Sequence, residues 1–198
     1  MTPLVLASAS AARARLLDAS GIEALRDPAA LDEALIKEES RNAGRSAADC
    51  AARLAEAKAR TVAMHHAGAL VLGADQLLDC EGRWFDKPRD RAEARAQLQA
   101  LRGRTHELAT SAAVLRDGKL MWRAVERPRL TMRDFSDAFL DRYLDHMGER
   151  VLATVGGYEI EGLGAQLMAR IEGDYFAILG LPLLKLLDFL REEGALAA

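Results

Sequence analysis

Apolar residues along this chain follow two periods, one near 3.6 and one continuous or alternating, and the switches between them outline its elements. Leu4 to Ala7 reads as a short buried strand that runs into Ser8-Ala9-Ser10. A helix from Ala11 to Ala19 follows, capped by Ser10 and stopped at Gly21. A second helix starts near Ser46, where Ser46 and Asp49 form a capping-box pair, and places Ala51, Leu54, Ala55, Ala59 and Val62 on one face. Ala69-Leu70-Val71-Leu72-Gly73-Ala74 has no polar position, the pattern of a strand covered on both sides. Glu81-Gly82 predicts a turn into Arg83-Trp84-Phe85, and Asp90 with Glu93 caps a helix that ends at Gly103.

Farther along, Asp117-Gly118 predicts a hairpin between residues 112–116 and 119–125. Ser136 opens an amphipathic helix with Phe139, Leu140, Tyr143, Leu144 and Met147 on one face, closed by Gly148. Pro182 sits in the first turn of a last helix that Gly194 ends. Strands and helices that alternate from end to end predict an α/β fold.

Composition narrows the class. The 198 residues predict a single domain over 1–198, with room for two lobes. Half the residues are apolar and 29% are charged, the balance of a globular protein with a full core. A net charge of -3 gives no general attraction to a nucleic acid polymer or an anionic membrane, so an anionic ligand needs a local cluster of cations. Cys50 and Cys80 have no metal-ligand spacing and read as free thiols. The first residues lack the pattern of a signal peptide, and Phe176 to Leu190 is interrupted by Lys185 and Asp188, so the expected compartment is the cytoplasm.

Several residues then carry candidate chemistry. Ser8 and Ser10, where a strand meets a helix N-terminus, suit a phosphate, and Arg13 in the first turn can add a bidentate grip. A plain serine cap beside a solvated arginine fits the same residues. Asp75 follows the apolar strand at its expected carboxyl end, where α/β sheets place ligands. A carboxylate there binds metal, pairs with a cation, moves a proton, or serves a turn. Lys58 shares the core-facing side of its helix with Leu54 and Val62, as a ligand or a snorkelling side chain. Lys87-Pro88 offers another cation, and Asp32-Glu33 reads as a ligand pair or a solvated acidic face. Adjacent His65 and His66 cannot converge on one metal. No Gly-x-x-x-x-Gly-Lys-Ser/Thr loop, His-Glu-x-x-His or Gly-x-Ser-x-Gly pattern occurs.

In order along nearly the whole chain, these segments resemble the Maf family of nucleotide pyrophosphatases. The resemblance rests on Leu6-Ala7-Ser8-Ala9-Ser10 with Arg13, Asp32-Glu33, Leu54-Ala55-Glu56-Ala57-Lys58-Ala59, Leu72-Gly73-Ala74-Asp75-Gln76 and Lys87-Pro88. It continues through Gly103-Arg104-Thr105-His106, Tyr158-Glu159-Ile160-Glu161-Gly162, Ile171-Glu172-Gly173 and Leu179-Gly180-Leu181-Pro182-Leu183. It implies a mixed, twisted sheet flanked by helices, in two lobes with a central cleft. The implied reaction cuts a nucleoside triphosphate to its monophosphate and pyrophosphate with a divalent cation, Mg2+ or Mn2+.

The implied roles are Asp75 as catalytic base and metal ligand, Glu33 as metal or water partner, and Lys87 as a catalytic cation. Ser8, Ser10, Arg13 and Lys58 would bind substrate, while Ala12, Gln76 and Glu161 fall at specificity positions. Gln76 and Glu161 resemble the 7-methyl-GTP branch rather than the dTTP/UTP branch, where threonine and glutamine are usual. A carboxylate buried at position 161 would suit a cationic methylated guanine. Two positions depart from the family pattern: Ala11-Ala12 replaces a usual Pro-Arg, and Asp86 stands before Lys87 where glycine is usual. A dTTP/UTP pyrophosphatase and a non-catalytic nucleotide-binding regulator of cell division stay open as alternatives. The expected partner is the nucleotide, with no nucleic acid polymer or membrane, and a homodimer is compatible.

Overall fold

The computed structural model describes residues 2–197 and has the expected α/β architecture, with a mixed sheet and flanking helices. It divides into two compact units. The first comprises the chain up to Gln76, then Ala109–Glu126, and the stretch from Asp174 onward. The second comprises Leu77–Leu108 and Arg127–Gly173.

In the first unit, β1 (Leu4–Leu6) lies between β2 (Ala24–Arg26) and β3 (Leu70–Cys80), parallel to both. β5 (Thr105–Arg116) follows β3 in the sheet and carries β6 (Lys119–Glu126) antiparallel on it. Asp117 and Gly118 both have positive φ, the conformation a two-residue hairpin turn needs. The alternation of side chains sorts the strands between two cores. Leu4, Leu6, Leu70, Leu72, Ala112 and Val114 pack on one face with α1 (Ala11–Ala19) and α7 (Leu183–Glu192). Val5, Ala7, Val71, Ala113 and Leu115 pack on the other, against Ala55, Ala59 and Val62 of α3 (Ala47–Ala63).

α3 approaches β3 unusually closely because small residues face each other. A Cβ on Gly73 would lie 2.0 Å from the Ala55 carbonyl oxygen and 2.7 Å from the Ala59 nitrogen. Gly73 and Asp75 share a strand face. The same contact that seats the helix on Gly73 therefore aims Lys58, between Ala55 and Ala59, along the strand toward Asp75.

Helix ends follow the local chemistry of the sequence. Ser10, Ser46, Asp90 and Ser136 each accept a main-chain N–H as N-caps, and Ser46 with Asp49 completes the capping box. Two expectations need revision. β3 does not stop at Ala74 but runs to Cys80, so Asp75 lies mid-strand rather than at a carboxyl end. β1 pairs with β3 only as far as Leu72, which leaves Asp75 beyond the end of β1. Asp32-Glu33 is not merely an acidic face: Asp32 caps, and Glu33 opens, an additional helix α2 (Glu33–Asn42).

In the second unit, β4 (Arg83–Phe85) returns on the far part of β3. The near part of β5 pairs antiparallel with β7 (Arg129–Met132), which pairs with β8 (Met168–Glu172). α4 (Arg91–Leu101) and α5 (Asp137–Met147) bury Leu98, Leu101, Leu140 and Leu144. Short 3-10 turns over Gly148–Leu152, Val155–Gly157 and Leu163–Leu167 complete the unit. Among the described residues no helix is long and apolar enough to cross a membrane.

Candidate functional site

Three elements of the first unit bring charge to one point. Lys58 extends from α3, and its Nζ donates to Asp75 Oδ1 at 2.6 Å and lies 2.7 Å from Glu33 Oε1. Asp75 comes from the middle of β3, and Glu33 from the first turn of α2. Asp75 and Lys58 are buried, whereas the Glu33 side chain is 42% exposed, which leaves one edge of the trio open. Burial alone would raise the Glu33 pKa. The hydrogen bond and charge of Lys58, with Lys37 and Arg13, nevertheless hold it below the ordinary carboxylate value.

Arg13 braces the same corner. Its Nε donates to the Gly180 carbonyl at 2.8 Å, and Nη1 donates to Ser8 Oγ and the Ala74 carbonyl, each at 2.9 Å. Desolvation lowers the guanidinium pKa, while Asp75 and Glu33 pull it upward. Three of its five N–H groups are thus committed to protein oxygens. A bidentate phosphate grip would require breaking one of these bonds, so Arg13 is a brace on the peptide before Asp75 and a fixed positive charge near it. Ser8 is buried and also accepts from the Ser10 amide at 3.3 Å. Ser10 caps α1, and the Ala11 and Ala12 amides precede the first helical bond, from Ala14 to Ser10. That end keeps the N–H groups and the dipole that suit an anion.

Gln76 is held by its amide nitrogen. Its Nε2 donates to Thr110 Oγ1 at 2.7 Å, the Ala177 carbonyl at 2.9 Å and the Ile178 carbonyl at 3.2 Å. Thr110 in turn donates to Ala177, so the amide orientation is set and Oε1 is the atom left for a ligand. Thr110, fully buried on β5 and bonded to Gln76, escapes the sequence reading, since it sits beside Ser111 in a strand that carries several polar residues.

Lys87 and Glu161 belong to the second unit. Lys87 is exposed beyond β4, next to buried Pro88. Glu161 is exposed in a turn and not in a water-poor pocket, because the 158–162 segment buries Tyr158 and Ile160 and turns Glu161 outward. Tyr158 lies 2.7 Å from His106 Nε2, a buried pairing that the sequence did not suggest. His66 pairs with Asp27 at 2.8 Å. Cys50 and Cys80 are free and buried.

The donor set around Lys58 fits a small, hard dication. Two carboxylates converge there, and such ions complete their shell with water and phosphate oxygens instead of a full protein cage. No cluster of three or more His, Cys, Asp or Glu suited to a metal occurs among the described residues.

Residues 3–193 match the family described as Maf-like protein. A "Nucleoside triphosphate pyrophosphatase" of Paramagnetospirillum magneticum is 54% identical over 97% of this chain and 99% of its own length. One of the same name from Granulibacter bethesdensis is 51% identical over 98% of both chains. A "7-methyl-GTP pyrophosphatase" of Rhizobium meliloti is 46% identical, again over 98% of both.

Proposed function

Since the chain belongs to the Maf family, we propose that it hydrolyses a nucleoside triphosphate to the monophosphate and pyrophosphate as one pyrophosphatase domain. The observation that carries this reading is the Glu33–Lys58–Asp75 cluster, in which a buried general-base candidate is held by an ammonium. In the free protein Lys58 engages Asp75 Oδ1, and Oδ2, which carries no contact to Lys58, is the atom that orients the attacking water and takes its proton. The water attacks the α-phosphorus, the bond to the bridging oxygen breaks, and pyrophosphate leaves. The amides at the start of α1 and the fixed charge of Arg13 stabilise anionic oxygens. Lys87 is assigned to the polyphosphate by its motif.

Glu33 and Asp75 would hold a divalent cation, Mg2+ or Mn2+, which when bound supplies charge neutralisation and Lewis acidity to phosphate oxygens. Buried thiols at Cys50 and Cys80 support a reducing compartment such as the cytoplasm.

For the substrate, 7-methyl-GTP is the proposed base class. Gln76 offers an acceptor, Oε1, and Glu161, assigned by motif, offers only acceptors. Guanine presents two N–H groups on one edge, whereas uracil and thymine present one. The relative from Rhizobium meliloti bears the corresponding name.

The test is pyrophosphate release from 7-methyl-GTP, GTP, dTTP and UTP. The highest kcat/KM is expected for 7-methyl-GTP, with the preference eroded in Glu161→Gln. A preference for dTTP or UTP removes the substrate assignment and leaves the reaction. Nucleotide binding with no release from any of the four favours a non-catalytic regulator.

A further inference from the structure

The two carboxylates assigned above to a divalent cation already hold a positive charge. Lys58 Nζ lies 2.6 Å from Asp75 and 2.7 Å from Glu33, and its side chain is only 9% exposed. Each contact takes one oxygen, Asp75 Oδ1 and Glu33 Oε1, of the carboxylate pair that a hard dication would bind at about 2.0–2.1 Å. A second cation at that pair is repelled by the ammonium, and the repulsion is weakly screened in a buried site.

We propose that Lys58 is a place-holding cation: it occupies the Glu33–Asp75 pair when no nucleotide is bound, competes with divalent metal for it, and releases it when a polyphosphate offers the ammonium another anionic partner. This rests on the reading of Glu33 and Asp75 as metal ligands. The side chain suits the task, since an ammonium is a compact charge with three donors on a flexible four-carbon stem. Arg13 does not, because three bonds to Ser8, Ala74 and Gly180 hold its guanidinium in place. Two consequences follow. With Lys58 seated, the two carboxylates do not face each other without a counter-charge. Metal and nucleotide also become linked ligands, each raising the affinity for the other.

The experiment is a titration of the full chain with Mn2+, followed by electron paramagnetic resonance or calorimetry. It is run with and without a non-hydrolysable α,β-methylene nucleoside triphosphate. Wild type is compared with Lys58→Met and Lys58→Gln, each checked for native circular dichroism; the glutamine variant keeps donors without charge and serves if the methionine variant does not fold. Without nucleotide, the neutral variants should bind Mn2+ at least about tenfold more tightly than wild type, within the usual range of coupling between linked sites. The nucleotide should then tighten Mn2+ binding strongly in wild type and much less in the variants. Equal or weaker Mn2+ binding in the folded variants, beside measurable binding in wild type, overturns the inference and leaves the metal reading intact. No Mn2+ binding to any form, even with nucleotide, overturns both.

Discussion

Replacing Gly73 by alanine tests how the close approach of α3 to β3 serves both stability and chemistry. The new methyl carbon would fall 2.0 Å from the Ala55 carbonyl oxygen, 2.7 Å from the Ala59 nitrogen and 3.0 Å from the Ala59 Cβ. A carbon and a carbonyl oxygen ordinarily approach no closer than about 3.3 Å, so roughly 1.3 Å must be found. The nearest obstacles are main-chain atoms, and no rotamer change can supply that distance. α3 must shift as a body. Overpacking costs about 1–3 kcal/mol, and a backbone obstruction places this case near the top, at about 3 kcal/mol. For a protein of this size that corresponds to a Tm lower by roughly 6–12 °C. Lys58 sits between the two obstructed residues, so the shift acts directly on its 2.6 Å contact with Asp75. A misplacement near 1 Å can reduce turnover about 10²-fold. The assays are thermal and urea unfolding by circular dichroism, with pyrophosphate release measured at a temperature where the variant is folded. Gly162→Ala is the stability control, since its Cβ would meet nothing within 4 Å and its φ is negative. A Gly73→Ala protein with a Tm within about 2 °C of wild type, a shift worth less than 1 kcal/mol, and with full turnover would refute the reasoning.

Asp75→Asn keeps an oxygen for Lys58 but removes the proton acceptor, so kcat should fall at least about 10²-fold with the fold intact. A folded variant that keeps more than about a tenth of wild-type kcat would remove Asp75 from that role. His106 offers a pH test. Burial lowers its pKa from 6.5 to about 4, so between those values the unfolded chain binds a proton that the folded chain refuses. Stability from this group is complete above pH 6.5 and is lost as the pH falls toward 4, by roughly 3 kcal/mol. Urea unfolding of wild type and His106→Gln at pH 7 and 4.5 should show the smaller pH dependence in the variant; equal dependence would exclude His106 as the source.

Much of the helical framework is written locally. Ser10, Ser46 with Asp49, Asp90 and Ser136 announce helix starts because capping is chemistry between residues three apart. α2 escaped notice because, among its ten residues, only Ser40 is buried, so no apolar stripe marks it. β8 is exposed along nearly its whole length and carries no alternation to read. At the site, the residue types of Glu33, Lys58 and Asp75 are legible, but their meeting depends on a helix docked against Gly73, which no spacing encodes. The partners of Arg13 and Gln76 are largely carbonyl oxygens of Ala74, Gly180, Ala177 and Ile178. Every residue has such an oxygen, so side-chain identity gives no hint of which will be used. Glu161 illustrates the converse, a carboxylate whose motif suggested burial and whose turn exposes it.

The discontinuous make-up of the first unit bears on how the chain is born. The second unit has all its residues once Gly173 has left the ribosome. The first must wait for the segment beyond Asp174, because α7 covers one face of β1 and β3 and Gly180 supplies the carbonyl for Arg13 Nε. At synthesis rates of about 5–20 residues per second, the strand made first spends many seconds without its apolar cover. Leu4, Leu6, Leu70 and Leu72 are then open to solvent and to neighbouring chains. Nascent chains halted before α7 should therefore be clients for chaperones, whereas chains halted after Gly194 should not.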